Sequence, residues 1–151
     1  MNVRPRTLAL AVALCSCALV AFLACSDPSS ISTVNVTLRE FSVRVDQATV
    51  PDGKVTFHVS NAGTVNHEFL VIRTDLAADA LPTDTDGAYA ENGARTTLID
   101  EIEDIAPGQS KDVTIDLDKA KYVLICNMVH RDGATVSAHY ALGMRTSFEV
   151  D

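Results

Sequence analysis

Two runs of alternating apolar and polar residues stand near the start of the patterned part of the chain. Val34, Val36 and Leu38 alternate with polar residues in one phase, and Phe41, Val43 and Val45 in the opposite phase. A period of two marks a half-buried strand, because successive side chains point to opposite faces. The slip around Arg39-Glu40 predicts a bulge or a strand changing sheets. Pro51-Asp52-Gly53 has turn chemistry, and beyond it Val55, Phe57 and Val59 alternate with Thr56, His58 and Ser60. Asn61-Ala62-Gly63 predicts another turn and Phe69-Leu70-Val71-Ile72 a buried strand. Pro107-Gly108 turns into Val113, Ile115 and Leu117. Tyr122 to Cys126 reads as a strongly apolar strand, and Thr146 to Val150 as the last one. Seven or eight short strands with turns between them predict an all-β Greek-key sandwich or barrel.

Residues 74–98 break this rhythm and read as an acidic insertion. Leu76 to Leu81 predicts one or two helical turns ended by Pro82, and Thr83 to Gly93 a polar loop. The wider segment 75–118 holds 12 acids against Arg95 and Lys111, a net charge of −10. Such a face is solvated, or it docks a basic partner whose approach it accelerates. Asp84-Thr85-Asp86-Gly87 lacks the rest of an EF-hand loop, so calcium gains no support.

The N-terminus has a different character. Arg4 and Arg6 precede Leu8 to Ala24, a 17-residue stretch without charge. This is the layout of a secretory signal. It ends Ala21-Phe22-Leu23-Ala24-Cys25, which resembles the bacterial lipoprotein signal; in that signal the Cys is lipidated and becomes the new N-terminus. The expected organisation is a signal peptide over 1–24, a lipidated Cys25 with a polar tether over 25–32, and one folded domain over 33–151. An uncleaved membrane anchor and ordinary cleavage are the alternatives, and all three export the domain. The expected location is a bacterial membrane, through the lipid, facing periplasm or cell exterior.

The whole chain carries 12 Lys+Arg and 20 Asp+Glu, a net charge of −8. Without Arg4 and Arg6, 10 bases face 20 acids, so the exported part stands at −10. That charge excludes a nucleic-acid binder, which needs a basic face to neutralise phosphates. Lys and Arg form no run, so a polybasic membrane patch is also absent.

Three of the four cysteines, Cys15, Cys17 and Cys25, lie in or at the end of the signal, and the folded domain keeps only Cys126. Exported domains use Cys in pairs. A lone thiol there oxidises unless something holds it. Cys126 ends an apolar strand; His139 and Met144 follow before the last strand; His67 stands far upstream at the head of another strand. One thiolate, two imidazoles and a thioether form the ligand set of a blue-copper site, with Met as the long axial ligand. Sulfur favours Cu(I) and imidazole also accommodates Cu(II), so such a site serves both states. One copper ion is therefore the expected cofactor.

With Cys126, His139-x4-Met144 and a His after the Asn61–Phe69 turn, the sequence resembles the cupredoxins, the family of plastocyanin, azurin and amicyanin. Lys121 to Cys126 also looks like the family's strand into the Cys. The resemblance covers roughly 33–151. It implies a Greek-key β-sandwich with one type 1 copper at one end, held by His67, Cys126, His139 and Met144, and shuttling of single electrons between redox proteins. It implies further that an apolar patch around the exposed edge of the C-terminal His is where electrons pass; Met128, Val129, Tyr140, Ala141 and Leu142 are the candidates here. The sequence departs from the short-loop members in the 12 residues Asn127 to Ala138 between Cys126 and His139. That segment brings His130 and Met128 as candidate accessory ligands, and His130 as an alternative to His139.

The leading functional expectation is a membrane-tethered electron carrier and not an enzyme, since no second His cluster and no Ser/His/Asp arrangement is legible. The alternatives are copper storage or delivery, and a metal-free structural lipoprotein, which leaves the lone Cys and His-x4-Met unexplained.

Overall fold

The computed structural model describes residues 31–91 and 93–151. The signal, Cys25 and most of the tether expected from the sequence lie outside these residues. Eleven strands form the described chain: β1 (Ser32–Arg39), β2 (Ser42–Val45), β3 (Thr49–Val50), β4 (Gly53–Asn61), β5 (His67–Thr74), β6 (Thr96–Ile105), β7 (Ser110–Leu117), β8 (Ala120–Ile125), β9 (Val129–Asp132), β10 (Thr135–Ala138) and β11 (Arg145–Val150). No helix occurs among the described residues, and none there could cross a membrane.

Two sheets make the expected sandwich. One runs β2-β1-β4-β7 and the other β3-β11-β8-β5-β6. Within the first, β1 pairs parallel with β4, so the two are not hairpin partners. The alternating residues of β1 and β4 all turn inward: Val34, Val36, Leu38, Val55, Phe57 and Val59 are completely buried. Phe57 meets Phe69 and Phe148 of the opposite sheet, each with ring centroids 5.4 Å apart. Each such side chain contributes about 1.5–3 kcal/mol by leaving water, so the period-two pattern fixes the register of both sheets.

β5 and β8 carry continuous apolar runs because both of their faces are covered. Phe69, Val71 and Leu124 face the inter-sheet core, whereas Leu70, Ile72, Val123 and Ile125 join a second cluster with Leu81, Tyr89 and Tyr140. The outer cover is thus the 75–91 segment. It is not helical: Ala80 N–H bonds to Ala77 O in a turn at 2.9 Å, and Thr83 bridges Tyr89. Packing against β5 and β8 decides its course, so the helical expectation for Leu76–Leu81 is corrected.

Three other differences have physical causes. The slip at Arg39-Glu40 is neither a bulge nor a sheet change; it is the turn of a hairpin that pairs Arg39 with Ser42 and Val36 with Val45. The edge strand β6 has no clear alternation, since only Ile102 and Ile105 are buried and its pairing with β5 shifts register twice. Its acids Asp100, Glu101 and Glu103 are exposed, and charge on an edge strand discourages another chain from pairing there. Finally, the 127–138 segment is a hairpin, β9–β10, with Val129 opposite Ala138.

Candidate metal centre

One end of the sandwich brings three side chains together. His67 is the first residue of β5, Cys126 follows β8, and His139 opens the connection from β10 to β11. β8 pairs with both β5 and β11, with Ile125 opposite Leu70 and Arg145. Three segments distant in sequence therefore end side by side. His67 Nδ1 lies 3.2 Å from His139 Nδ1, and Cys126 Sγ lies 3.6 Å from the first and 3.4 Å from the second. His67 and Cys126 are fully buried and His139 is 3 % exposed. Among the described residues this is the group of His, Cys and acid side chains placed to hold a metal ion.

The backbone around the group is pinned at each entry. Cys126 N–H donates to Met144 O at 3.0 Å, Met144 N–H to His139 O at 3.0 Å, and His139 N–H to Met128 O at 2.9 Å. These bonds tie the Cys and the His–Met connection into one unit. Met144 is completely buried and packs in the same core cluster as Cys126. Gly143 sits at φ +119°, and a Cβ there would stand 3.2 Å from Phe41 O, so the close approach of the β1–β2 turn requires glycine. Ahead of His67, Asn61 Nδ2 donates to Val65 O at 2.8 Å and to Ile105 O at 2.7 Å, while Asn61 Oδ1 accepts from Gly63 N–H at 2.8 Å. The loop delivering His67 is thus held by one buried amide.

Electrostatics favour neutral donors in the metal-free chain. Burial pushes the Cys126 thiol up to about 12, although the Glu68 and Met128 N–H groups act in the opposite direction. The Glu68 N–H donates to Sγ at 3.4 Å. Burial, then the neighbouring His67, hold His139 down to about 4, and burial lowers His67 as well. A deprotonated thiolate in this apolar place needs a positive partner. For metal–nitrogen bonds of about 2.0 Å and a metal–sulfur bond of about 2.3 Å, donors around one ion stand roughly 3–4 Å apart, which is the spacing of this triangle. The residues fit a soft, tight metal site.

The other residues singled out in the sequence fall elsewhere. His130 is exposed on β9, outside the triangle, and lines a 230 Å³ cleft beside it with Met128 and Val129. His58 is exposed and paired with Asp112. Tyr140 does not belong to an apolar rim: it is buried in the outer cluster, where its hydroxyl donates to Ala78 O and accepts from Leu81 N–H, both at 3.0 Å. Nor does His139 present an exposed edge. Phe41 covers it edge-on with ring centroids 5.4 Å apart, and Phe41 itself is 42 % exposed. Phe41, Val65 and Glu40 complete the cleft wall. The sequence pattern placed Phe41 on a strand and gave no role to Glu40; the phase slip beside them was the one signal.

Comparison with solved structures identifies the architecture. Reduced auracyanin from Roseiflexus castenholzii matches with a TM-score of 0.54 at 24 % identity, over 80 % of this chain and 97 % of that one. The fold is the cupredoxin fold. Auracyanin A, a "blue" copper protein from Chloroflexus aurantiacus, matches at 0.50 and 19 % identity over 81 % and 100 % of the two chains. Rusticyanin from Thiobacillus ferrooxidans matches at 0.52 and 16 % identity over 80 % and 77 %. No family model and no curated protein matches the sequence. At these identities the likeness establishes the cupredoxin fold, and the case for chemistry rests on the His–Cys–His triangle itself.

Proposed function

We propose that this chain is a type 1 copper protein that carries single electrons and is not an enzyme. The observation that carries the proposal is the convergence of His67 Nδ1, His139 Nδ1 and Cys126 Sγ within 3.2–3.6 Å in a buried pocket. His67, Cys126 and His139 would hold the ion, with Met144 as the fourth, weaker ligand. Copper bound there supplies a one-electron Cu(I)/Cu(II) couple. The chain's own part is rigidity: the hydrogen bonds of 126, 139 and 144 keep the donors in place, so little rearrangement accompanies a change of charge. Phe41 and the core exclude water. Phe41, Val65 and Leu142 are exposed apolar residues, and the first two flank the cleft beside His139. They would form the contact face for a redox partner, and the acids of 75–118 would steer a basic one.

Burial of all three donors speaks against storage or delivery, because handing on an ion needs a ligand that a partner can reach. His130 and Met128 border the cleft and remain candidate accessory ligands only. Residues 1–24 would export the chain and Cys25 would tether it to a bacterial membrane by lipid. The test is electrochemical. A copper-loaded chain should hold one ion and cycle reversibly with fast self-exchange; irreversible loss of the ion on reduction would favour delivery instead.

A further inference from the structure

The β1–β2 turn reaches both histidines of the triangle. Phe41 lies against His139, and Glu40 reaches His67 from the side opposite the triangle. Among the described residues, His67 Nε2 is the buried side-chain polar atom without a hydrogen bond. Glu40 Oε1 stands 3.3 Å from it, at ion-pair distance. The carboxylate is itself held in place. Oε1 accepts from the Thr64 N–H at 2.7 Å and from the Val65 N–H at 3.0 Å, both in the loop that leads into His67. Gly63 permits this approach: a Cβ there would collide with the Glu40 carboxylate. The Glu40 side chain is only 23 % exposed. A buried Nε2 with no partner is destabilising, and the fixed carboxylate is the acceptor at hand.

We propose that Glu40 is a positioning residue for the metal centre, keeping the His67 proton on Nε2 so that the Nδ1 lone pair faces Cys126 and His139. A neutral imidazole has one N–H and one lone pair, and whatever its outer nitrogen bonds decides which nitrogen is free for a metal. Glu40 draws the proton outward, while the loop hydrogen bonds fix where the ring stands. Its full negative charge acts through His67 as well: it stabilises the higher charge on the ion, so losing it favours Cu(I). This second effect rests on the proposed copper function, whereas the tautomer does not.

Two measurements on the full chain in detergent separate these. In the metal-free protein, nitrogen-15 NMR of the imidazoles should show His67 protonated on Nε2. Glu40→Gln keeps an acceptor and should keep that tautomer, whereas Glu40→Ala should mix the two forms. In the copper-loaded protein, Glu40→Gln should keep the thiolate-to-copper band and shift the Cu(II)/Cu(I) balance ~tenfold toward Cu(I), which is ~59 mV for one electron. A His67 proton on Nδ1 in the wild type, or variants that change neither tautomer nor potential, would overturn the proposal. A wild type with the expected tautomer but no thiolate band would sink the copper function and leave Glu40 as the residue that orients His67. If Glu40→Ala does not fold, the wild-type tautomer and the Glu40→Gln potential still decide.

Discussion

The residues around the triangle carry opposed pKa shifts, and these set the acid response of the metal-free chain. Burial and His67 hold His139 down to about 4 from an ordinary 6.5, and His67 is shifted the same way. Burial, then the charges of Glu101 and its neighbours, raise Glu68 to about 7 from 4.5. Between pH 6.5 and 4 the unfolded chain takes up the His139 proton and the folded chain does not, so stability falls as pH falls, and the lowered His67 acts in the same direction. Between 7 and 4.5 the folded chain keeps the Glu68 proton while the unfolded one releases it, so stability rises as pH falls. The His139 and Glu68 shifts act in opposite directions over this range, so Glu68 offsets part of the histidine loss. Thermal melts of the metal-free protein should therefore decline only gently from pH 6.5 to 4.5. Glu68→Gln should decline steeply over that range and melt above the wild type at pH 8. Parallel curves for the two proteins would contradict this balance. Glu40 adds a later loss. Despite some desolvation, the Thr64 and Val65 N–H groups and His67 hold it near 2, so its contribution disappears as pH falls from 4.5 to 2.

At the scale of elements, the site depends on how the β9–β10 hairpin and the 75–91 cover meet the end of β8. Asn127, next to Cys126, acts as a side-chain substitute for a strand pair. Its Oδ1 accepts from the Tyr89 N–H at 2.6 Å and its Nδ2 donates to Tyr89 O at 3.0 Å. Arg131 ties the hairpin to Asp86 from the surface. Asn127→Ala strips two backbone groups of their partners and should cost about 1–3 kcal/mol in denaturant unfolding. Asp86→Ala, at an ion pair whose arginine is largely exposed, should cost under about 1 kcal/mol. Equal effects would mean that the surface pair holds the cover as firmly as the Asn127 bridge, against this account. These elements were the least legible in the sequence. The strands with one buried face stood out because Val34, Val36, Leu38, Val55, Phe57 and Val59 alternate cleanly. β6 did not, since its edge position leaves its acids in water. β9 and β10 were hidden because their residues are mostly exposed. The 76–81 pattern suited a helix, but its apolar residues pack against the outer faces of β5 and β8 instead.

For the whole molecule, 20 acids against 12 bases leave a chain of one dominant sign, with its acids concentrated along β6 and its flanks. Self-repulsion weakens the compact state. Raising salt from 0.01 M to 1 M shortens the screening distance from about 30 to about 3 Å. It should stabilise the fold on the order of 1 kcal/mol, or about 4 °C in melting temperature; an unchanged or lower value would show that the exposed ion pairs outweigh the repulsion. The donor triangle was legible because ligand types and the Cys126, His139, Met144 order survive in one dimension. Its outer supports were not, because Glu40 and Phe41 reach the histidines only through the sandwich's three-dimensional closure. The central claim is that His67, Cys126 and His139 hold one copper ion through a thiolate. The most direct measurement is the visible absorption spectrum after adding one equivalent of Cu(II), beside Cys126→Ser. An intense thiolate-to-copper band, absent in the variant and bleached reversibly by reductant, is the expected result. A wild type with no such band, or a band that survives Cys126→Ser, would contradict the account.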